Sequence, residues 1–296
     1  MIRRTRKMNN KDEKVVNFIN ADFQGLHVNT IGDGEAIVFL HGGPGSEQRF
    51  FLPHVLPLSH NFRLIFYDQR GSGKSEPSKD NQYSMKDEVN TLELLRKEFK
   101  LEKINLFGES WGSMLALLYA TTYPERVNKI LLTAAIGVTA EGFKTFGEEL
   151  EKRLSEKDKT KLSKLEEGVK RGESSNEEIL SILDKYYVYS EESLKRKAKT
   201  SIDQTVNDAI GNDILEHYDL TDKLDTIKNI PILIAQGSHD ILTPKLISQL
   251  LLEHIPHAKL IEVENCGHWT VVEKPNEMNK IANDFFNINL LRQWTC

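Results

Sequence analysis

Ser110 lies in the residue pattern with the clearest chemical meaning in this sequence, the G-x-S-x-G string at 108–112. A β-rich run at 104–108 precedes the serine and a helical run at 111–123 follows it. In such a strand–turn–helix frame, a tight turn that the glycines permit exposes the serine hydroxyl as a nucleophile. The N-terminus of the helix also directs N–H groups and partial positive charge toward a developing oxyanion. The pattern predicts that Ser110 is the nucleophile of an acyl transfer, the alternative being a simple helix N-cap.

A serine hydroxyl needs a base to remove its proton, and that base needs a third group to hold its ring. Asp240 follows a predicted strand at 231–236, and His268 follows another at 259–264. Loops after consecutive parallel strands emerge at one edge of the sheet, where Ser110 is also expected. The order Ser, Asp, His along the chain fits this arrangement. We therefore predict that His268 is the base and Asp240 its orienting acid.

Other side chains fit these roles less well. His239 adjoins the predicted acid, and as its immediate neighbour in an extended loop it would point away from it. Cys266 does not lie in a strand–turn–helix frame like that of Ser110, and it is expected to be a small buried residue. His254 and His257 have too few neighbouring ligands for zinc, and Pro256 would break the helix they would share. The sequence therefore predicts no metal and no cofactor.

A second chemical signal is the HGGPG segment at 41–45, directly after a predicted strand at 36–41. Acyl transfer needs at least two N–H donors aimed at one oxygen, and glycine lets the backbone come that close. We predict that the N–H groups of Gly43 and Trp111 form the oxyanion hole. The same Gly-Pro-Gly turn can also be purely structural.

The segment DQRGSGKS at 68–75 ends like a phosphate-binding loop, but it lacks the required G-x-x-x-x-G-K-[ST] spacing because Asp68 and Gln69 precede the Arg-Gly pair. Nucleotide binding is therefore not expected. Instead, we predict that Asp68 and Arg70 satisfy backbone groups in a turn that supports the HGGPG segment at 41–45, called here the oxyanion loop.

These residues require a scaffold of alternating strands and helices. Up to Gly137 the sequence alternates β-rich runs, at 36–41, 62–67, 104–108 and 130–134, with helical runs at 85–99 and 111–123. Residues 141–200 differ, with 14 acids, 14 bases and a helical spacing of leucines, which indicates a solvated helical segment. Strand–helix alternation then resumes. The pattern predicts an α/β fold with a mostly parallel sheet covered by helices, a basic flexible tail at 1–14, a core at 15–138 and 226–296, and a helical insert at 139–225.

Composition narrows the classes of function. The chain has 296 residues and a net charge of −5, which argues against a nucleic-acid-binding surface. Its two cysteines exclude a disulfide framework and favour a cytoplasmic location. No run approaches the roughly 18 apolar residues of a membrane span, and the basic start has no apolar stretch typical of a signal peptide. Met8 is an alternative start.

Taken together, the segments HGGPG at 41–45, DQRGSGKS at 68–75, GESWGS at 108–113 and YPERV at 123–127 resemble an α/β-hydrolase of the proline iminopeptidase group. The resemblance is specific over 36–138 and weaker over 231–275. It implies an α/β-hydrolase fold in which the insert forms a cap over the active site. It also implies catalytic roles for Ser110, Asp240 and His268, and oxyanion-hole roles for Gly43 and Trp111.

The resemblance further implies a serine hydrolase that cleaves an N-terminal residue, preferably proline, from small peptides or amides. In such aminopeptidases, glutamates of the cap or near the catalytic aspartate hold the substrate ammonium. Glu216 is one of several candidates here, whereas Ile241 stands where some members place a glutamate. Phe143 and Phe146, with Tyr186, Tyr187 and Tyr189, are candidates for the apolar walls around a proline ring. The alternatives are a carboxylesterase or amidase that requires no amine, and a catalytically silent fold that binds a ligand.

Overall fold

An eight-stranded sheet forms the centre of the computed structural model, which describes residues 19–23 and 25–287. The strands are β1 (Ile19–Phe23), β2 (Leu26–Ile31), β3 (Glu35–Leu40), β4 (Phe62–Tyr67), β5 (Ile104–Glu109), β6 (Val127–Thr133), β7 (Ile232–Gly237) and β8 (Lys259–Val263). Their order across the sheet is β1-β2-β4-β3-β5-β6-β7-β8. The β1–β2 and β2–β4 pairs are antiparallel and all other pairs are parallel. The predicted mostly parallel sheet is confirmed, and the predicted tail at 1–14 lies outside the described residues.

Helices cover both faces of this sheet. In chain order they are α1 (Met85–Glu98), α2 (Trp111–Thr122), α3 (Ala140–Arg153), α4 (Glu156–Lys170), α5 (Asn176–Tyr187), α6 (Gln204–His217), α7 (Pro244–Ile247), α8 (Thr270–Glu273) and α9 (Pro275–Phe286). Short 3-10 helices occur at Gln48–Phe51, Leu56–His60, Pro124–Arg126, Glu191–Arg196 and Thr221–Ile227, and a π-helical turn spans Ser248–Leu252.

The central strands are apolar on both faces because both faces are covered. Along β3, Val38 and Leu40 belong to one buried cluster, which includes residues of α1 and α2. Ile37 and Phe39 alternate with them and belong to a second cluster, which includes residues of α9. This continuous apolar run is the pattern expected for a strand in the middle of a parallel sheet.

Helices α3 to α6 lie between β6 and β7, which are adjacent in the sheet, so they interrupt a single α/β unit. The ends of this segment meet, because Ala140 N donates to Tyr218 O and Leu220 N donates to Val138 O. Within it, Leu154, Leu162 and Ile182 form a small core of their own. Helices of the segment therefore occupy the interval 139–225 for which the sequence predicts a cap.

None of the helices among the described residues has the length and apolar character needed to span a membrane.

Candidate active site

Ser110 occupies a sharp turn between β5, which ends at Glu109, and α2, which begins at Trp111. Its φ of 54° and ψ of −120° lie in a region that non-glycine residues rarely adopt. Gly108 and Gly112 make this turn possible, because a Cβ on Gly108 would collide with the Gly112 carbonyl, and one on Gly112 with the Leu40 carbonyl. The local geometry is that of a nucleophile elbow.

The structure brings Ser110, His268 and Asp240 together. His268 Nε2 lies 3.0 Å from Ser110 Oγ, and His268 Nδ1 lies 2.8 Å from Asp240 Oδ1. Asp240 follows β7 and His268 follows β8, two neighbouring strands whose carboxyl ends share one edge of the sheet. Such a chain of hydrogen bonds can move a proton from the serine to the imidazole while the carboxylate holds the ring.

Gln236 holds the carboxylate of Asp240 in place. Its Nε2 donates to Asp240 Oδ2 at 2.8 Å and to Leu242 O at 2.9 Å, and the Leu242 N–H donates to Asp240 Oδ1 at 3.3 Å. The sequence analysis did not identify Gln236. A polar residue that interrupts the otherwise apolar strand β7 was the signal available for it.

The imidazole of His268 is buried between aromatic rings. The ring centroids of Phe146 and Tyr187 lie 5.0 Å and 5.3 Å from that of His268. Burial by itself would lower the pKa of His268. However, the charge and hydrogen bond of Asp240, with a further contribution from the charge of Glu109, raise this pKa above its ordinary value of 6.5.

Gly43, one of the predicted oxyanion donors, lines the cavity that contains Ser110, and it has a φ of 115° that favours glycine. Trp111, the other predicted donor, is the first residue of α2. Gln69 connects these two parts of the site: its Nε2 donates to His41 O at 2.9 Å, and its Oε1 accepts from Trp111 Nε1 at 2.8 Å. The oxyanion loop and the elbow helix are thus joined through one buried amide.

The 68–75 segment therefore supports the oxyanion loop through residues other than those predicted. Asp68 does accept hydrogen bonds from two backbone N–H groups, those of Gln48 and Lys74, each at 2.9 Å. In contrast, the buried Nε of Arg70 has no hydrogen-bond partner among the described residues. The contact with the oxyanion loop comes from Gln69, because its side chain is directed at His41.

A cavity of about 290 Å³ opens onto Ser110 and His268. Much of its wall is apolar, with contributions from Phe50, Phe146, Ile179, Leu180, Leu183 and Trp269. Helix α5 therefore supplies one side of the cavity and the sheet edge the other. This composition suits a small, partly apolar substrate.

Among the described residues, two acidic side chains line the cavity, and they differ in their partners. Asp184 of α5 is paired with Lys197, whose Nζ lies 2.7 Å from both carboxylate oxygens. Burial raises the pKa of Asp184, and the Lys197 ammonium opposes this effect. Glu109 is 3% exposed and forms no ion pair among the described residues. Burial raises the pKa of Glu109 to about 7, although the charge of His268 lowers it. The sequence analysis singled out neither acid.

The candidate substrate-binding residues are placed differently from one another. Phe146 lines the cavity. Phe143, on the same helix, packs against the larger core cluster and is not among the described residues that line the cavity. Glu216 also lies off the cavity wall, with 71% of its side chain exposed and an oxygen 3.9 Å from His217 Nδ1.

The other side chains considered for these roles, His239 and Cys266, take no part in the hydrogen bonds that join Ser110, His268 and Asp240. His239 is exposed and its Nδ1 lies 2.8 Å from Ser238 Oγ. Cys266 is buried, and burial together with the charge of Glu273 raises the pKa of its thiol well above the ordinary value. Across the described ranges, no three His, Cys, Asp or Glu side chains cluster so that they could hold a metal ion.

Comparison with known proteins agrees with this architecture. The family model described as the alpha/beta hydrolase fold matches residues 35–275. A solved structure of an alpha/beta fold family hydrolase from Bacillus anthracis strain Sterne superposes with a TM-score of 0.71 at 23% identity, covering 91% of this chain and 99% of that one. The chain therefore belongs to the α/β-hydrolase family.

Within that family, the chain is similar to proteins named proline iminopeptidase. The one from Lactobacillus crispatus is 30% identical, over 87% of this chain and 89% of that protein. The one from Lacticaseibacillus rhamnosus is 29% identical, over 88% of this chain and 89% of that protein. The resemblance to the proline iminopeptidase group is thus confirmed, and it extends well beyond the motifs that first indicated it.

Proposed function

We propose that this protein is a serine hydrolase that removes an N-terminal residue, preferably proline, from small peptides or amides. The observation that carries the hydrolase part is the continuous contact from Asp240 through His268 to Ser110 Oγ. The similarity to proline iminopeptidases supports the choice of substrate. The proposed reaction uses no cofactor, and the proposed location is cytoplasmic.

In the proposed reaction, His268 Nε2 accepts the Ser110 proton while Ser110 Oγ attacks the carbonyl carbon of the first residue. The N–H groups of Gly43 and Trp111 stabilise the resulting oxyanion. His268 then donates its proton to the leaving nitrogen, the C–N bond breaks, and an acyl-enzyme remains. Water, deprotonated by the same imidazole, hydrolyses the acyl-enzyme and restores Ser110.

A carboxylesterase or amidase without an amine requirement is the second candidate. The apolar side of the cavity formed by Ile179, Leu180 and Leu183 favours it, because such a wall suits an acyl chain as well as a proline ring.

The two candidates are separated by one pair of substrates. Proline β-naphthylamide and its N-acetylated form share the ring and the scissile bond, but only the first carries a positive charge. We expect a kcat/KM for the free amine well above that for the acetylated form. Similar values for both would replace the aminopeptidase with the esterase or amidase.

A fluorophosphonate probe tests the remaining alternative, a silent ligand-binding fold. We expect the probe to label the protein at Ser110, because only an activated serine reacts with it. A folded protein that neither reacts with the probe nor cleaves prolyl, alanyl or acyl-ester chromogens would contradict the hydrolase proposal.

A further inference from the structure

Glu109, the residue before the serine of the elbow, places a buried carboxylate in the wall of the cavity. We propose that Glu109 binds the α-ammonium of the substrate's first residue and so determines that the enzyme requires a free N-terminus. This inference rests on the proposed aminopeptidase function and names the residue that confers its specificity.

The position of Glu109 meets the distance requirement for this role. In an aminopeptidase substrate, the amine is separated from the scissile carbonyl carbon by only two bonds, each about 1.5 Å long. Its partner must therefore lie close to the nucleophile. A Cβ built on Gly42 would lie 3.0 Å from Ser110 Cβ and even closer to Glu109 Oε2. The carboxylate and the nucleophilic residue thus flank the same small volume beside the oxyanion loop.

The charges around the cavity single out Glu109. A desolvated ammonium needs a carboxylate to offset its lost hydration. Asp184 is already neutralised by Lys197, whereas Glu109 has no cationic side-chain partner among the described residues. Glu216, the candidate from the sequence, is largely exposed and lies off the cavity wall. A substrate ammonium beside Glu109 would complete an ion pair that the free enzyme lacks.

The protonation of Glu109 adds a pH signature. The titratable groups whose charges act on this carboxyl are His268 and Asp240, and Tyr187 packs nearby. Because burial raises the pKa of Glu109 to about 7, the carboxylate becomes neutral below that pH. A neutral carboxyl binds an ammonium more weakly. A change in the substrate's own charge cannot explain weaker binding at low pH, because lowering the pH keeps the substrate amine in its protonated form.

The test is the ratio of kcat/KM for proline β-naphthylamide to kcat/KM for its N-acetylated form, measured in the wild type and in Glu109→Gln. Effects of the substitution on His268 alter both substrates and cancel in the ratio. We expect the ratio to fall about 10- to 150-fold, the loss associated with one hydrogen bond to a charged group. Glu98→Gln removes an equal charge from an exposed site on α1, so its ratio is expected to match the wild type.

Each outcome has a definite meaning. A wild type that does not discriminate between the two substrates contradicts the proposed function itself. A wild type that discriminates, with Glu109→Gln retaining the same ratio, overturns only the role of Glu109. A fall in Glu216→Gln but not in Glu109→Gln would transfer that role to the cap.

The wild-type protein provides a test that needs no folded variant. Its ratio, followed from pH 8 down to pH 5, is expected to fall below about pH 7 as Glu109 becomes protonated. A ratio that stays constant over this range would overturn the inference even if Glu109→Gln does not fold.

Discussion

Ser110 is positioned by neighbours along the chain, whereas its proposed reactivity depends on His268, which is distant in sequence. We expect Ser110→Ala to lower kcat by roughly ten-thousand-fold or more while the fold stays intact, because the change deletes only the hydroxyl. Turnover of the chromogenic substrates and circular dichroism are the measurements. A folded variant that retains more than a tenth of the activity would show that the elbow does not supply the nucleophile.

The charge environment of His268 predicts the pH profile. The imidazole must be neutral to accept the Ser110 proton, and its pKa is raised above 6.5. Activity is therefore expected to increase with pH through a limb centred above 6.5, reported as an apparent pKa because Glu109 and Asp240 are coupled to it.

Arg153 of α3 provides the variant for this profile. Its guanidinium donates to the backbone carbonyls of His239 and Asp240, and its charge lowers the pKa of His268. Arg153→Gln is therefore expected to move the acid limb of kcat/KM to higher pH. Arg171→Gln, at an exposed position of the same helical segment, is the control that should leave the limb in place. A shift of the Arg153 variant to lower pH would contradict the assignment of the limb to His268.

At the scale of elements, α3 presents two phenylalanines to different surroundings. Both rings pack against the larger core cluster, but Phe146 also lines the cavity beside His268, whereas Phe143 does not. We expect Phe143→Ala to lower the free energy of unfolding by about 2 kcal/mol, because it removes half-buried apolar surface from a packed site. Phe146→Ala should in addition change kcat/KM unequally among prolyl, alanyl and acyl-ester substrates.

Urea unfolding and the substrate panel measure these two effects. Because the substitutions remove the same atoms from the same helix, each variant is the control for the other. Equal effects of both variants on substrate preference would place the specificity wall elsewhere.

At the scale of the whole molecule, Glu88 of α1 predicts how stability depends on pH. Its carboxyl group is buried, and this burial raises the pKa of Glu88 to about 8 from 4.5, although the charge of Arg70 and a hydrogen bond from the Arg70 backbone oppose the shift. A raised pKa means that the folded state holds a proton that the unfolded state has lost. Stability is therefore expected to fall as the pH rises from 4.5 to 8.

Glu88→Gln keeps the shape but removes the ionisation. Its free energy of unfolding should exceed that of the wild type by a few kcal/mol at pH 9, and the difference should shrink toward pH 5. Glu98→Gln, an exposed change on the same helix, should show no such trend. An advantage of the Glu88 variant that is largest at acid pH would contradict the sign of this effect.

The sequence by itself determined the class of fold and indicated the chemistry proposed here. The elbow is local, since five consecutive residues between a strand and a helix specify its turn. The strands that precede Asp240 and His268 are also recognisable in the sequence as apolar runs, and parallel pairing brings their carboxyl ends to one edge of the sheet. For this reason the sequence alone placed Ser110, Asp240 and His268 at a common site, and the distances among them agree.

Only the tertiary structure decided which of many similar side chains line the cavity. Glu109, Glu216 and the other acids are indistinguishable by type, and their difference arises from burial and from the presence or absence of a cation such as Lys197. Likewise, Phe143 and Phe146 share a helix and both pack against the core, and only the way that this helix packs brings Phe146 into the cavity wall. Gln69, rather than Arg70, contacts the oxyanion loop for the same reason. Such contacts join segments far apart in the chain, and no local pattern of residues encodes them.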